Sequence, residues 1–509
     1  MSQLETRARV PAPSSSRRFR RFPAFFVALA LASGVVALLA EDWIAGVAIW
    51  VLWAGWHCLR REDGPPVLAM AYTFQWVQVT IGMYYHAFTG ADIGALDVRA
   101  VGDYRTMMLL GLGCLLALLA GLKGGIWLVE RWRGRQIVGP EDAFTWRTLI
   151  LLYVASIALT GSMQELAWRI PVLTQGILAL TYARFALLFL VFRRLTRPHI
   201  RWAWIAGILG GELALGSTGY FAGFREPIML AAVAVAGAFD RHQVKHWMVV
   251  GGLGGLAILT GVLWIGIRKD FRQDFESEVF AQSREARLER IAELAANWTE
   301  RAPEEMLQDV RYFVMRMWSV HYPALALLRV PSQVPHEDGA ILWRALTHLV
   351  TPRLLFPDKP PLQSDSEMVF RYAGVLVAGA GPRATGGEGD TSIAFGYAGE
   401  AYVDFGVPLM FLPVFVYGLV MGALYRWLLG LIRHRELAIA VTTVCFWLSL
   451  YLFERSWIKM LGLSMTLIIY LGGATVWLDR ILLRQARLRG RSARVMSMSR
   501  PRLPLPPRG

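Results

Sequence analysis

Residues 351–406 read TPRLLFPDKPPLQSDSEMVFRYAGVLVAGAGPRATGGEGDTSIAFGYAGEAYVDFG, and they run directly into VPLMFLPVFVYGLVMGALY at 407–425. Within that passage a proline- and glycine-rich polar stretch gives way to an apolar run long enough to cross roughly 30 Å of hydrocarbon. Prolines flank two cations, Arg353 and Lys359, and restrict the directions in which they point. The glycine-rich middle carries Arg383 and Glu388, and the end places Glu400, Tyr402 and Asp404 just before the apolar run. The passage predicts a polar, conformationally special segment held at one face of a membrane, with the rest of the chain as its scaffold.

Working outward, apolar runs recur at 23–40, 43–59, 67–88, 106–128, 148–164, 170–192, 202–218, 226–239, 247–267, 405–425, 437–453 and 460–479. Together they predict an all-α polytopic membrane protein with about twelve transmembrane helices. Composition points the same way. Hydrophobic residues make up 55% of the chain and charged residues 18%, against about 25% charged in soluble domains. The net charge of +15 does not argue for nucleic acid, because the arginines gather in short loops between apolar runs. That distribution orients helices in a bilayer.

The basic loops fall on every second crossing. Arg17, Arg18, Arg20 and Arg21 precede the first run, Arg60 and Arg61 follow the second, and Arg131, Arg133 and Arg135 follow the fourth. Arg193, Arg194, Arg197 and Arg201 follow the sixth, Arg241 and Lys245 the eighth, and Arg433 and Arg435 the tenth. This alternation predicts both termini in the cytoplasm and the long loop outside the inner membrane. The expected organisation is a basic N-terminus at 1–22, spans at 23–267, an outer loop at 268–404, further spans at 405–479 and a basic disordered tail at 480–509. The tail suits contact with anionic lipid. The first run lacks a small-residue cleavage signal and reads as a start-transfer helix. Cys58, Cys114 and Cys445 all lie in apolar runs, so no disulfide framework is expected in the loop.

Within the outer loop, Leu288, Ile291, Leu294 and Ala295 recur at helical spacing, as do Val310, Phe313, Val314, Met317 and Trp318. Both stretches predict interfacial helices with one wet face. Regular structure is expected to end near Leu355.

Several polar residues have both a chemical and a structural reading. Arg225, in GSTGYFAGFREP, suits bidentate contact with a phosphate or diphosphate, or snorkelling to headgroups. Arg353 and Lys359 suit the same anion, or a rigid surface turn in which Asp358 pairs with Lys359. Arg344 and His348 share a helical face, and with Arg311, Arg316 and His321 they read as phosphate or glycan contacts or as the polar edge of interfacial helices. Glu400 reads as a general base with a raised pKa, or as a helix N-terminal carboxylate; Asp404 fits capping. Glu212 and Arg184 fall inside apolar runs, where charge is costly, so pairing in the bundle interior is expected. Lys459, Glu454 and Arg455 read as anchors of the last outer turn. The chain has no HExxH, no Walker loop, no DxD-like pair in the loop and no GxSxG, which leaves metalloprotease, ATPase and serine-hydrolase readings without support.

PRLLFPDKP, followed by TSIAFGYAGEAYVDFGVPL and a glycine-interrupted run, resembles the Wzy-type polymerases of O-antigen and exopolysaccharide repeat units over about 350–425. Arg225 and Gly237, with eleven residues between them, approximate the Arg-x10-Gly element of that family's outer loops. The resemblance implies a GT-C-like glycosyltransferase of the bacterial inner membrane that needs no metal, cofactor or nucleotide sugar. Its donor and acceptor would both be polyprenyl-diphosphate-linked oligosaccharides, and its partners membrane lipids, a chain-length regulator and a flippase. In that chemistry the leaving diphosphate calls for Arg225, Arg353 and Lys359, and the acceptor hydroxyl for a base, Glu400 first and His348 second. Tyr402 would stack on sugar, with Arg311, Arg316, His321, Arg344 and Arg383 as further contacts, and segment 374–389 would open and close over glycan. Two other functions share the topology. An O-antigen ligase would move the polymer onto a lipid A core; a transporter or flippase would show two comparable halves with charges deep in its spans.

Overall fold

The computed structural model describes residues 22–60, 65–90, 102–133, 144–170, 172–196, 200–218, 223–239, 243–274, 283–351, 355–356, 359, 365–375 and 395–484. Arg353, Arg383, Glu388, the prolines of PRLLFPDKP and residues 376–389 of the glycine-rich segment lie outside them, as do 1–21 and the tail from 485. The described chain is helical, with no strand among the described residues.

Among the described residues ten helices precede the loop: α1 Phe22–Leu39, α2 Trp43–Leu59, α3 Val67–Thr89, α4 Tyr104–Arg133, α5 Trp146–Arg169, α6 Thr174–Thr181, α7 Ala183–Leu195, α8 Trp202–Ser217, α9 Arg225–Gly237 and α10 Val244–Gln273. The loop carries α11 Arg284–Thr299, α12 Pro303–Met317, α13 His321–Leu327, α14 Ala340–Val350, α15 Asp365–Met368 with a π turn at Val369–Ala373, and α16 Tyr397–Phe405. Three more follow: α17 Phe411–Leu431, α18 Arg435–Leu450 and α19 Trp457–Thr466, which continues through a π turn at Leu467–Gly472.

Among the described residues six helical stretches are long and apolar enough to cross a membrane: 104–133, 146–169, 174–195, 244–273, 411–431 and 457–484. The other apolar runs are helical too, but shorter or more polar. In α3 the interruption is Gln75 and Gln78, both buried. The last outer run does not begin at 405 as expected. Gly406 adopts φ +62° and Pro408 has no amide hydrogen, so the chain breaks there and α16 stands apart from α17. Regular structure also returns after Leu355, at 365–373, because Val369 and Tyr372 bury against the bundle.

The tightest packing is between α4 and α17. A Cβ added at Gly121, Gly125, Gly418 or Gly422 would run into the facing helix backbone, so paired glycines four residues apart let the two main chains touch. By contrast α5 and α10 keep many apolar side chains exposed, among them Leu151, Val154, Leu159, Ile258 and Leu259, as suits helices facing lipid.

Arg184 and Glu212 pair at 2.9 Å, and the Tyr153 hydroxyl donates to the other Glu212 oxygen. This buried network joins α5, α7 and α8 and accounts for charge inside apolar helices. At one end of the bundle Asp479 accepts from the amides of Arg433 and His434 at 3.1 and 3.0 Å and from His434 Nδ1 at 2.7 Å. The loop helices pack on the opposite end. There Ser283 caps α11 by accepting the Ala286 amide, and Asp309 holds Trp298 Nε1 at 2.8 Å and Arg301 at 3.3 Å. On α14, Trp343, Leu346 and Val350 form an exposed apolar face, the pattern of a helix lying against lipid.

Candidate active site

The loop-bearing end of the bundle is organised by the six-residue connection YLFERS, 451–456, between α18 and α19. Two glutamines on α3 hold it. Gln75 Nε2 donates to the Leu450 carbonyl, and Gln78 Nε2 donates to the Tyr451 carbonyl at 2.8 Å. Gln78 Oε1 accepts from the Phe453 amide at 3.1 Å and from Ser319 Oγ at 3.2 Å. Side-chain amides supply a donor and an acceptor each, which lets two residues satisfy the backbone of a buried turn.

Two arginines approach the ring of Tyr451. Arg225, at the start of α9, lies 5.2 Å from the ring centroid and Arg455 lies 5.6 Å from it. Arg225 also donates to the Tyr451 hydroxyl at 2.8 Å, and that hydroxyl donates to Glu226 at 3.2 Å. Arg455 donates to the Leu448 carbonyl at 2.5 Å, and among the described residues it has no carboxylate partner. A third arginine, Arg316 of α12, pairs with Glu454 at 3.0 Å. Three guanidinium groups therefore converge on five consecutive residues with two carboxylates between them, leaving the patch positive and fork-shaped in the way that suits phosphate oxygens.

Glu400 meets the far end of the same connection. Gly396 takes φ +85° and an added Cβ would press on Phe453 and Glu454 backbone, so only glycine lets α16 start this close to the turn. Tyr397 then donates to Gln75 Oε1 at 2.7 Å, and one turn on Glu400 Oε2 accepts the Trp457 amide at 2.7 Å. Glu400 is 3% exposed. Burial pushes its carboxyl up to about 8; the Trp457 amide opposes this, Asp365 and Asp404 add to it, and Lys459 offsets them. Lys459 itself pairs with buried Asp365 at 2.6 Å. A carboxyl that titrates near neutrality can both take and return a proton.

Asp404 is fully buried and caps α14, accepting the Ile341 and Leu342 amides at 2.9 and 2.8 Å. Burial raises it too, against the two amide hydrogen bonds that favour its charged form. The cap fixes α14 beside α16 and α19.

The remaining sequence candidates divide between the site and its supports. Lys359 donates to the His348 carbonyl on α14, which brings those two residues together. Arg344 lies 4.0 Å from Glu337, which also holds Arg371 at 2.6 Å and Tyr372 at 2.7 Å. Tyr402 is buried, its hydroxyl donating to the Val330 carbonyl at 2.8 Å and its ring against His336. His321 is 4% exposed and stacks on Tyr104. Arg311 sits partly exposed on α12. Sequence reasoning read Arg455 as an anchor of the last outer turn and passed over Tyr451, Gln75 and Gln78 altogether. The available signal was two glutamines inside an apolar run and a polar, aromatic knot between two others. Among the described residues no cluster of histidine, cysteine and carboxylate side chains has the arrangement to hold a metal ion. No family model, curated protein or solved structure matches the chain.

Proposed function

We propose that this protein polymerises polyprenyl-diphosphate-linked oligosaccharide repeat units, as a metal-independent glycosyltransferase at the periplasmic face of the bacterial inner membrane. About twelve spans in a GT-C-like arrangement, both termini in the cytoplasm, and a chain-length regulator and flippase as partners belong to the same reading. The observation that carries it is the pair of guanidinium groups on the Tyr451 ring, joined by a single short connection to a buried carboxyl that titrates near neutrality.

In this reaction the acceptor hydroxyl attacks the anomeric carbon of the donor, the bond to the diphosphate oxygen breaks, and the acceptor proton passes to ionised Glu400. Arg225 and Arg455 take the charge that develops on the leaving diphosphate; charge-assisted donors fixed in advance are worth most where water is excluded. Arg316 adds positive potential beside the connection, the resemblance implies Arg353, Lys359 and Arg383 as further cations for diphosphate or glycan, and His348 is the second choice of base. The resemblance of PRLLFPDKP and GYAGEAYVDFG to Wzy-type polymerases supports the same chemistry.

Purified protein in nanodiscs, given a lipid-linked repeat unit, is expected to yield a ladder of longer lipid-linked products, lost in Glu400→Gln. Transfer of glycan to a lipid A core without a ladder would mark a ligase instead. Movement of the lipid across a vesicle without bond formation would mark a transporter. Either result overturns the proposal.

A further inference from the structure

Arg268, near the loop-side end of α10, is half-buried and makes no hydrogen bond or ion pair among the described residues. Its charged neighbours are both cations: Arg272, one turn on in the same helix, and Arg316 of α12. A charge partly withdrawn from water beside two like charges is costly unless an anion completes the group.

Aromatic packing fixes where Arg268 stands. Trp264, one turn earlier, lies 5.6 Å from the Phe271 ring and 6.2 Å from that of Phe224, and Phe224 immediately precedes Arg225. Ile267 and Phe271 are buried with Leu294 of α11 in a small core of their own, which holds this end of α10 in place. Gly261 leaves no room for a Cβ beside the Phe313 ring, so α12 lies directly on α10. Helical side chains lean toward the preceding turn, which carries Arg268 back toward Trp264 and the start of α9. Arg316 pairs with Glu454 at 3.0 Å, and Glu454 is also a charged neighbour of Arg225. The cations are thus linked in order, Arg225 through Glu454 to Arg316, and Arg316 to Arg268.

Glu226 lies 3.4 Å from Arg225 and Glu454 holds Arg316. Arg455 and Arg268 are left as the cations without a carboxylate, one at each end of that chain. We propose that Arg268, with Arg316, forms a second anion subsite beside the Tyr451 patch, taking phosphate oxygens of a polyprenyl diphosphate. A guanidinium suits this because its N–H groups form a planar fork that matches two phosphate oxygens. The choice of a polyprenyl diphosphate rests on the glycosyl-transfer reading; the anion subsite does not.

Calorimetric titration of the full chain in phosphatidylcholine nanodiscs tests this, with farnesyl diphosphate and inorganic pyrophosphate as probes. Arg268→Gln is expected to weaken binding of both probes about tenfold, as loss of a charge-assisted contact does. Arg268→Lys should fall between, because it keeps the charge and loses the fork. Arg105→Gln is the control for charge alone; that exposed cation of α4 pairs with Asp42 at 3.2 Å, and its loss should leave both affinities unchanged. Equal melting temperatures without probe report an intact fold in each variant. If Arg268→Gln binds both probes as tightly as the wild type, or if Arg105→Gln loses as much, the subsite does not exist. Repeating the titration with phosphatidylglycerol in the disc separates the two sources of phosphate. Should the effect of Arg268→Gln vanish there, a bilayer headgroup fills the position and the proposal is overturned. Binding that depends on Arg268 in a protein that makes no ladder would keep the subsite and lose the polymerase reading; a ladder with binding indifferent to Arg268 would do the reverse.

Discussion

Glu400 Oε2 accepts the backbone N–H of Trp457 at 2.7 Å, which ties the short helix before one apolar helix to the first residue of another. The bond fixes where the carboxyl sits and burial fixes how it titrates, and both properties can be measured.

The buried carboxyl is pushed up to about 8 from its ordinary 4.5. A group whose folded-state value is raised contributes stability that is complete below 4.5 and is lost as pH rises through about 8. The melting temperature of the wild type in detergent should therefore fall across that window. Glu400→Gln, whose amide oxygen still accepts the Trp457 N–H, should be flatter there and more stable at the alkaline end, by an amount on the order of a few kcal/mol. A parallel pH dependence in both proteins would show that burial does not raise the titration of this carboxyl.

Arg225→Ala and Arg455→Ala should each lower turnover of a lipid-linked substrate on the order of a hundredfold. Lysine at either position should restore only part of this, because a point charge cannot reproduce the guanidinium fork. Steady-state kinetics that show equal effects of Arg→Ala at Arg225 and at Arg147, which lies against Trp146 on a different helix, would remove the special role of the pair.

Gly422→Ala should destabilise the protein by about 1–3 kcal/mol, as overpacked sites do, since its Cβ would meet the Leu122 backbone. Gly251→Ala, on a face of α10 with nothing within 4 Å, should be neutral or stabilising, because alanine is the better helix former by about 1 kcal/mol. Thermal melts of the two variants separate a close backbone contact from a merely small residue.

Asp404→Ala should free the Ile341 and Leu342 amides, costing about 0.5–2 kcal/mol as lost helix caps do. Hydrogen exchange at those two amides should speed up first, with asparagine giving an intermediate rate.

Glu212→Leu leaves the half-buried Arg184 without its 2.9 Å partner and should cost about 3 kcal/mol. Replacing Arg184 by leucine as well should recover part of the loss, a coupling that melts of the two single variants and the double variant measure directly.

Much of the scaffold could be read from the chain because apolar runs report burial one residue at a time. The helices at 284–299 and 303–317 declared themselves through spacing, and Arg184 with Glu212 through the cost of charge in hydrocarbon. The break before α17 was written in DFGVP, where Gly406 and Pro408 outweigh the apolar residues beyond them. The convergence on Tyr451 was not legible. Arg225 and Arg455 lie far apart in sequence and meet only through tertiary packing, and Arg455 in isolation looks like any cation beside a membrane. Glu400 was legible as a residue, while its Trp457 partner depended on Gly396 admitting α16 against the turn.

The glycine seam between α4 and α17 bears on how such a chain matures. Its two halves are synthesised far apart in time, and the loop that carries Glu400 is made between them. Ribosome-bound intermediates that stop before Phe411 have nothing to set against Gly121 and Gly125. Bringing Glu400 and the arginines around Tyr451 together must therefore wait for the last fifth of translation.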